Sequence, residues 1–343
     1  MTQTQWNSLV EIINGETLPA PPVGFIIDSP WLPGWFGVST IDYFTNDEIW
    51  FEANLKALKT FPDVMFLPGF WSEYGMCTEP SAFGAKLVWA ANNLPHAHKI
   101  IKNIDEAGQI KKPNVKTDGL LPFIINRLLK TQTRIEDSGH TIRFAISRGP
   151  LNIASFLMGT TEFMMAIAME KEKTKAFLRT ITDFILEWIS YQKETFKDID
   201  GILVLDDLVG FVGEDDFKEL ALPLLTEIFN HFDSKVRFFH NDAQGLVCAP
   251  YLKDIGVNLF NFSFEHSMAE IKSLTGNSVT LLGNIPPRDV LAQGTKKDIL
   301  ESVKDVMNSI DDRSGIIWSC GGGMPQDVQT ENIKTFIDSV NRF

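Results

Sequence analysis

The sequence predicts a (β/α)8 barrel of the α/β class, with an N-terminal extension and a long insertion after the second strand. Three observations predict it. Short apolar runs rich in Val, Ile and Phe alternate with longer amphipathic stretches, the pattern of parallel strands joined by crossover helices. Eight such runs occur, the number that closes a parallel barrel. The length of 343 residues suits one barrel, which needs roughly 250 residues plus insertions, so a single domain over 1–343 is expected.

The first strand is expected at 23–28 and the second at 64–70. Between them 46–60 reads as a helix: it opens with Asn-Asp-Glu, charge suited to a helix N-terminus, and places Ile49, Trp50, Ala53, Leu55, Ala57 and Leu58 along its apolar side. The third strand, 142–147, comes only after an insertion at 71–141 that carries Pro80, Pro95, Pro113 and Pro122 and an additional strand near 87–90. A connection too long for a plain crossover commonly builds a lid or pocket wall. Residues 161–196 hold two helical stretches, with the break expected at 171–175. The remaining strands fall at 201–206, 236–240, 257–262, 279–283 and 315–319. Before the last of them, 295–310 runs at helical period through Ile299, Val303, Val306 and Met307 behind a threonine cap.

Composition excludes some functions. The apolar fraction of 44% and charged fraction of 22% belong to a folded chain with ample core. A net charge of -13, with no basic stripe, repels phosphate backbones and anionic lipid, so neither nucleic acid nor membrane is an expected partner. The three cysteines, Cys77, Cys248 and Cys320, are widely spaced and odd in number, which fits a reducing compartment. With no leader-like N-terminus and no run long enough to span a bilayer, the expected location is the cytoplasm. The expected partner is a small-molecule substrate, and a homodimer is left open.

Barrel enzymes place their chemistry where the strands end, because only there do the βα loops converge. The expected ends carry Asp28, Glu73, Arg148, Asp206, Asp207, His240, Asp242, Glu265, His266, Asn284 and Cys320. His240 and Asp242 are two apart, so on a continuing strand they face one side and can share a metal or form a proton-transfer pair; otherwise Asp242 caps a helix and His240 bonds a carbonyl. Asp206 and Asp207 alternate faces, so at most one enters the barrel as a general base, unless the chain has already turned. Either can instead hold a turn. Cys320 is the only thiol at a strand end, and zinc on His240, Asp242 and Cys320 is one expected site. Gly322, within Gly321-Gly322-Gly323, presents amides to an anion or merely permits a tight turn. Arg148 is a fork for a carboxylate or phosphate, or half of a structural ion pair. Trp31, with Trp35 and Phe36, suggests a flat or apolar ligand, or packing on the barrel rim. Asp28 and Asn284 complete the candidate substrate contacts.

Several segments carry a resemblance. Arg148-Gly149-Pro150-Leu151, Leu282-Gly283-Asn284-Ile285-Pro286, and Gly321-Gly322-Gly323-Met324-Pro325 followed by Thr330-Glu331-Asn332-Ile333 resemble, in order and spacing, the uroporphyrinogen decarboxylase superfamily. That superfamily includes corrinoid-linked methyltransferases. His240-Asn241-Asp242 falls where the methyltransferases carry His-x-Cys, and Cys320, aligned on Pro325, is shifted by about one residue from their zinc cysteine. The resemblance implies either decarboxylation of a tetrapyrrole or another carboxylate, or methyl transfer with a corrinoid carried by a partner protein. True decarboxylases bear an arginine motif after the first strand, whereas the first arginine here is Arg127. Methyl transfer to or from a small substrate, with His240, Asp242, Asp206 and Asp207 as catalytic groups, is therefore the expected activity. Decarboxylation and a non-catalytic binding barrel are the alternatives.

Overall fold

Each of the eight apolar runs forms a strand. The computed structural model describes residues 1–343, with β1 (Gly24–Ile26), β2 (Met65–Leu67), β3 (Phe144–Arg148), β4 (Gly201–Leu205), β5 (Val236–Asn241), β6 (Leu259–Phe262), β7 (Thr280–Ile285) and β8 (Ile316–Cys320). All ladders among them are parallel. β3 to β8 pair in succession, β1 pairs with β2, and a bridge from Val23 to Trp318 joins the first strand to the last.

The remaining junction, β2 to β3, has no backbone ladder. β2 stops at Leu67 because Pro68 has no N–H to donate and Gly69, at φ +99°, turns the chain away. The edge of β3 is nevertheless satisfied. The Gln192 side chain accepts from Ile146 N–H and donates to Ile146 C=O, both at 2.9 Å, in place of a neighbouring strand. Below it Thr141 and Met1 exchange backbone bonds, and above it Arg148 N–H donates to Glu79 Oε1 at 2.8 Å.

The helices follow the expected caps. Asp47–Thr60 is capped by Asn46, whose side chain accepts from the Glu48 and Ile49 amides. Lys296–Asn308 opens on a capping box between Thr295 and Asp298. Helices Thr160–Met169 and Lys171–Thr195 break at Glu170, just before the expected 171–175, so the lysine run starts the second helix instead of separating the two. The expected extra strand is Leu87–Val88, antiparallel to His96–Ala97.

Two apolar cores result, as a filled barrel requires. One lies between the strands and the surrounding helices. The other fills the barrel with Phe144, Leu203, Phe238, Leu259, Leu282 and Ile317 and is plugged from below by Trp6, Leu9 and Ile12 of helix Gln3–Ile13. That helix was legible in one signal: Thr2 and Gln5 form a capping box, a threonine followed three residues later by glutamine. No single helix is long and apolar enough to cross a membrane.

Arg127, the first arginine in the chain, anchors the insertion to the barrel side. It is buried, with Asp47 Oδ1 at 3.0 Å, the Phe44 carbonyl and the Tyr74 hydroxyl as acceptors and the Trp50 and Tyr74 rings beside it. The other end of the insertion brings Trp71, Glu73, Met76 and Leu94 to the mouth of the barrel.

Candidate active site

The C-terminal ends of the strands surround a cleft of about 320 Å³ lined by Asp28, Glu73, Arg148, His240, Asp242 and Arg288, among others. Parallel register sets its centre. Leu205, His240 and Asn261 are aligned across β4, β5 and β6, so the His240 and Asn261 side chains share one face. His240 Nδ1 lies 2.8 Å from Asn261 Oδ1, and Asn261 Nδ2 donates to the Leu282 carbonyl at 2.7 Å. With its amide nitrogen committed to a carbonyl, Asn261 presents an acceptor to His240, so Nδ1 carries the proton. In the neutral ring the Nε2 lone pair then points at the cleft, 3.6 Å from Asp207 Oδ1 and 3.9 Å from Asp242 Oδ2.

The adjacent aspartates separate. Asp207 joins His240, and its Oδ1 accepts from the Asp242 amide at 3.3 Å. Asp206 turns away: its two oxygens accept the Leu151 and Asn152 amides, each at 2.9 Å, at the N-terminus of helix Pro150–Met158. Gly149 makes room for it, since a Cβ there would come 2.3 Å from Asp206 Oδ2. Asp206 is therefore a helix cap outside the cleft, not one of its reacting groups.

The metal set expected with Cys320 is also corrected. The ligating atoms of Asp207, His240 and Asp242 lie within 4.8 Å of one another, and Cys320 is not among them. Its thiol is fully buried and donates to the Gly322 carbonyl at 3.5 Å, and burial pushes its pKa up to about 12. One imidazole nitrogen and two carboxylate oxygens fit a divalent cation that accepts N and O donors, and do not fit a thiolate-rich zinc site.

Gly322 does not cradle an anion. At φ +102° it allows the turn, and a Cβ on it would meet Asp242 Oδ2 at 2.6 Å. A Cβ on Gly323 would meet Asp28 Oδ2 at 2.7 Å, and the Gly321 amide is bonded to the Ile285 carbonyl. The glycines make room for the Asp242 and Asp28 side chains. Trp31, likewise expected at the substrate, is fully buried: its Nε1 donates to the Val328 carbonyl at 3.0 Å and its ring stacks on Phe66. Asn284 is buried and donates to the His266 carbonyl, holding the loop after β6 instead of lining the cleft.

Arg148 reaches the cleft already paired, with Glu73 Oε2 at 3.4 Å, while Glu73 Oε1 accepts the Ser29 amide at 3.0 Å. Asp28 has no such partner. Its Oδ1 is buried without a hydrogen bond, and burial, reinforced by the charge of Glu73, raises its pKa well above the usual carboxylate range. Glu265 and His266 sit further out, each bonded to Gln244. Sequence reasoning missed Asn261 and Arg288. The first was signalled as a polar residue inside the apolar run 257–262; the second has no local signal beyond following Pro286-Pro287.

A (β/α)8 barrel with titratable groups converging at its strand ends is the construction of a barrel enzyme. The chain belongs to the uroporphyrinogen decarboxylase (URO-D) family, whose model matches residues 5–343. Among curated relatives it is 23% identical over 278 residues to a uroporphyrinogen decarboxylase of Psychromonas ingrahamii, covering 77% of this chain and 75% of the relative. To that of Pseudoalteromonas translucida it is 22% identical over 314 residues, covering 87% and 84%. Among solved structures, a methyltransferase from Methanosarcina mazei superposes with a TM-score of 0.82 at 18% identity over 99% of this chain and 98% of the other. That likeness shows the fold. The family is enzymatic, and the curated relatives named above are uroporphyrinogen decarboxylases.

Proposed function

We propose that this chain is a methyltransferase acting on a small substrate in the cleft, with the methyl group exchanged with a corrinoid on a partner protein docked at the barrel mouth. The observation that carries the reading is the supply of cations. A tetrapyrrole with many carboxylates needs several forks, and the cleft has two arginines, of which Arg148 is already held by Glu73. Arg127 is buried on the barrel side and adds none.

In this reading Asn261 orients the His240 ring, while Asp207 and Asp242 supply negative charge beside Nε2. His240, Asp207 and Asp242 would hold a divalent cation, which when bound would polarise a heteroatom of the substrate and favour its deprotonated form. The donor set favours a substrate bound through oxygen over a thiol. A carboxy-lyase reading has one observation in its favour: burial raises the pKa of Asp28, and a carboxyl that holds its proton can deliver it to a carbanion.

Two measurements test the proposal. In anaerobic assays the purified chain should accelerate methyl exchange between free cobalamin and small oxygen- or sulfur-bearing molecules, read from the cobalamin spectrum, and should form negligible coproporphyrinogen from uroporphyrinogen. Robust coproporphyrinogen formation would overturn it. Protein purified without chelator should contain a stoichiometric divalent cation that survives Cys320→Ala. Asp207→Asn should weaken its binding by at least the roughly 10- to 100-fold that loss of an outer-sphere partner costs. A metal lost from the Cys320 variant and kept by the Asp207 variant would refute the ligand set.

A further inference from the structure

The cleft contains one cation whose role the mechanism leaves open. Arg288 stands just beyond the end of β7, in the turn Pro287–Ala292, where a barrel presents ligand-binding groups. Arg288, an exposed residue, lines the same cleft as His240 and Asp242, and its guanidinium has no carboxylate within ion-pair distance and no hydrogen bond within the protein. The other charges of the cleft are accounted for. Arg148 and Glu73 neutralise each other. Asp207 and Asp242 flank His240, where a proton or a divalent cation offsets them. Asp28 is pushed toward its neutral form by burial and by the charge of Glu73, and its Oδ1 is buried without a hydrogen bond. No lysine lines the cleft, so Arg288 is its one uncompensated positive charge. Met76, Leu94, Met324 and Pro325 add apolar surface to the cleft lining, and the volume of about 320 Å³ suits a ligand of one ring's size.

We propose that Arg288 is the anion-reading residue of this cleft, so that the substrate is a small organic acid with an apolar body, its carboxylate or equivalent oxyanion held at Arg288 while its reacting end lies at His240. The proposal rests on the cleft being the active site and holds for either methyl transfer or decarboxylation. A planar fork suits a carboxylate bidentately, and a hydrogen bond to a charged group is worth enough to raise affinity about tenfold or more over a neutral isostere.

The test uses benzoate and its neutral isostere benzamide as probes on the full chain, with affinities from ligand-observed NMR titration. Benzoate should bind the unaltered protein about tenfold or more tightly than benzamide. Arg288→Gln should abolish that preference, and Arg288→Lys should keep part of it, since charge remains but the fork is lost. Arg288 is exposed, so both variants should melt with the unaltered chain. His240→Ala should keep the benzoate preference while losing turnover, which separates this assignment from that of the reaction. Equal binding of the two probes, no binding of either, or a preference that survives in Arg288→Gln would overturn the proposal. A preserved preference in a chain that shows no methyl exchange supports the anion site and removes only the reaction assigned to it.

Discussion

His240→Ala is expected to lower turnover by roughly 100-fold or more, the usual scale for losing a positioned acid, base or metal ligand. The expectation follows from how fully the ring is constrained. Register places it opposite Asn261, Asn261 takes the Nδ1 proton, and Nε2 is left facing Asp207 and Asp242. A side chain held this way has little freedom to serve packing alone. Removing it leaves Asn261 Oδ1 without its partner, a loss of about 1–3 kcal/mol in a domain this well packed. Turnover per folded molecule and thermal midpoint should be measured on one preparation. A variant that melts early but turns over normally would make His240 structural.

Trp31→Ala is expected to destabilise the fold by roughly 3–5 kcal/mol, the range for truncating a buried aromatic side chain. Trp31 packs against Phe66 and Trp35, and its indole N–H ties the loop after β1 to the Val328 carbonyl near the C-terminal helix. Trp31→Phe should recover most of the packing yet leave that carbonyl unpaired, for about 1–3 kcal/mol. Urea midpoints of the three proteins give the ordering. If Trp31 lined the substrate site instead, Trp31→Ala would raise KM without lowering the urea midpoint, and that result would reverse the correction made to its role.

What the sequence determined by itself was set by local pattern. The strands, the helix caps at Asn46 and Thr295, and the place of the chemistry at the strand ends all follow from hydrophobic period and side-chain type within a few residues. His240 and Asp242 were legible together from their spacing of two at a strand end, although β5 itself stops between them at Asn241. The choice between Asp206 and Asp207 was not, because it depends on the amides of Leu151 and Asn152, about fifty residues away in the chain. The same holds for the roles of other residues. Trp31 looks like a site residue by position and is withdrawn by a carbonyl on another segment of chain, and Cys320 is withdrawn by its burial in the closed barrel. Gln192 stands in for a missing strand only because its helix packs against β3. Periodicity reports which residues are apolar on one face; hydrogen-bond partners brought from distant segments decide which polar groups remain free to react, and that assignment exists only once the barrel has closed around them.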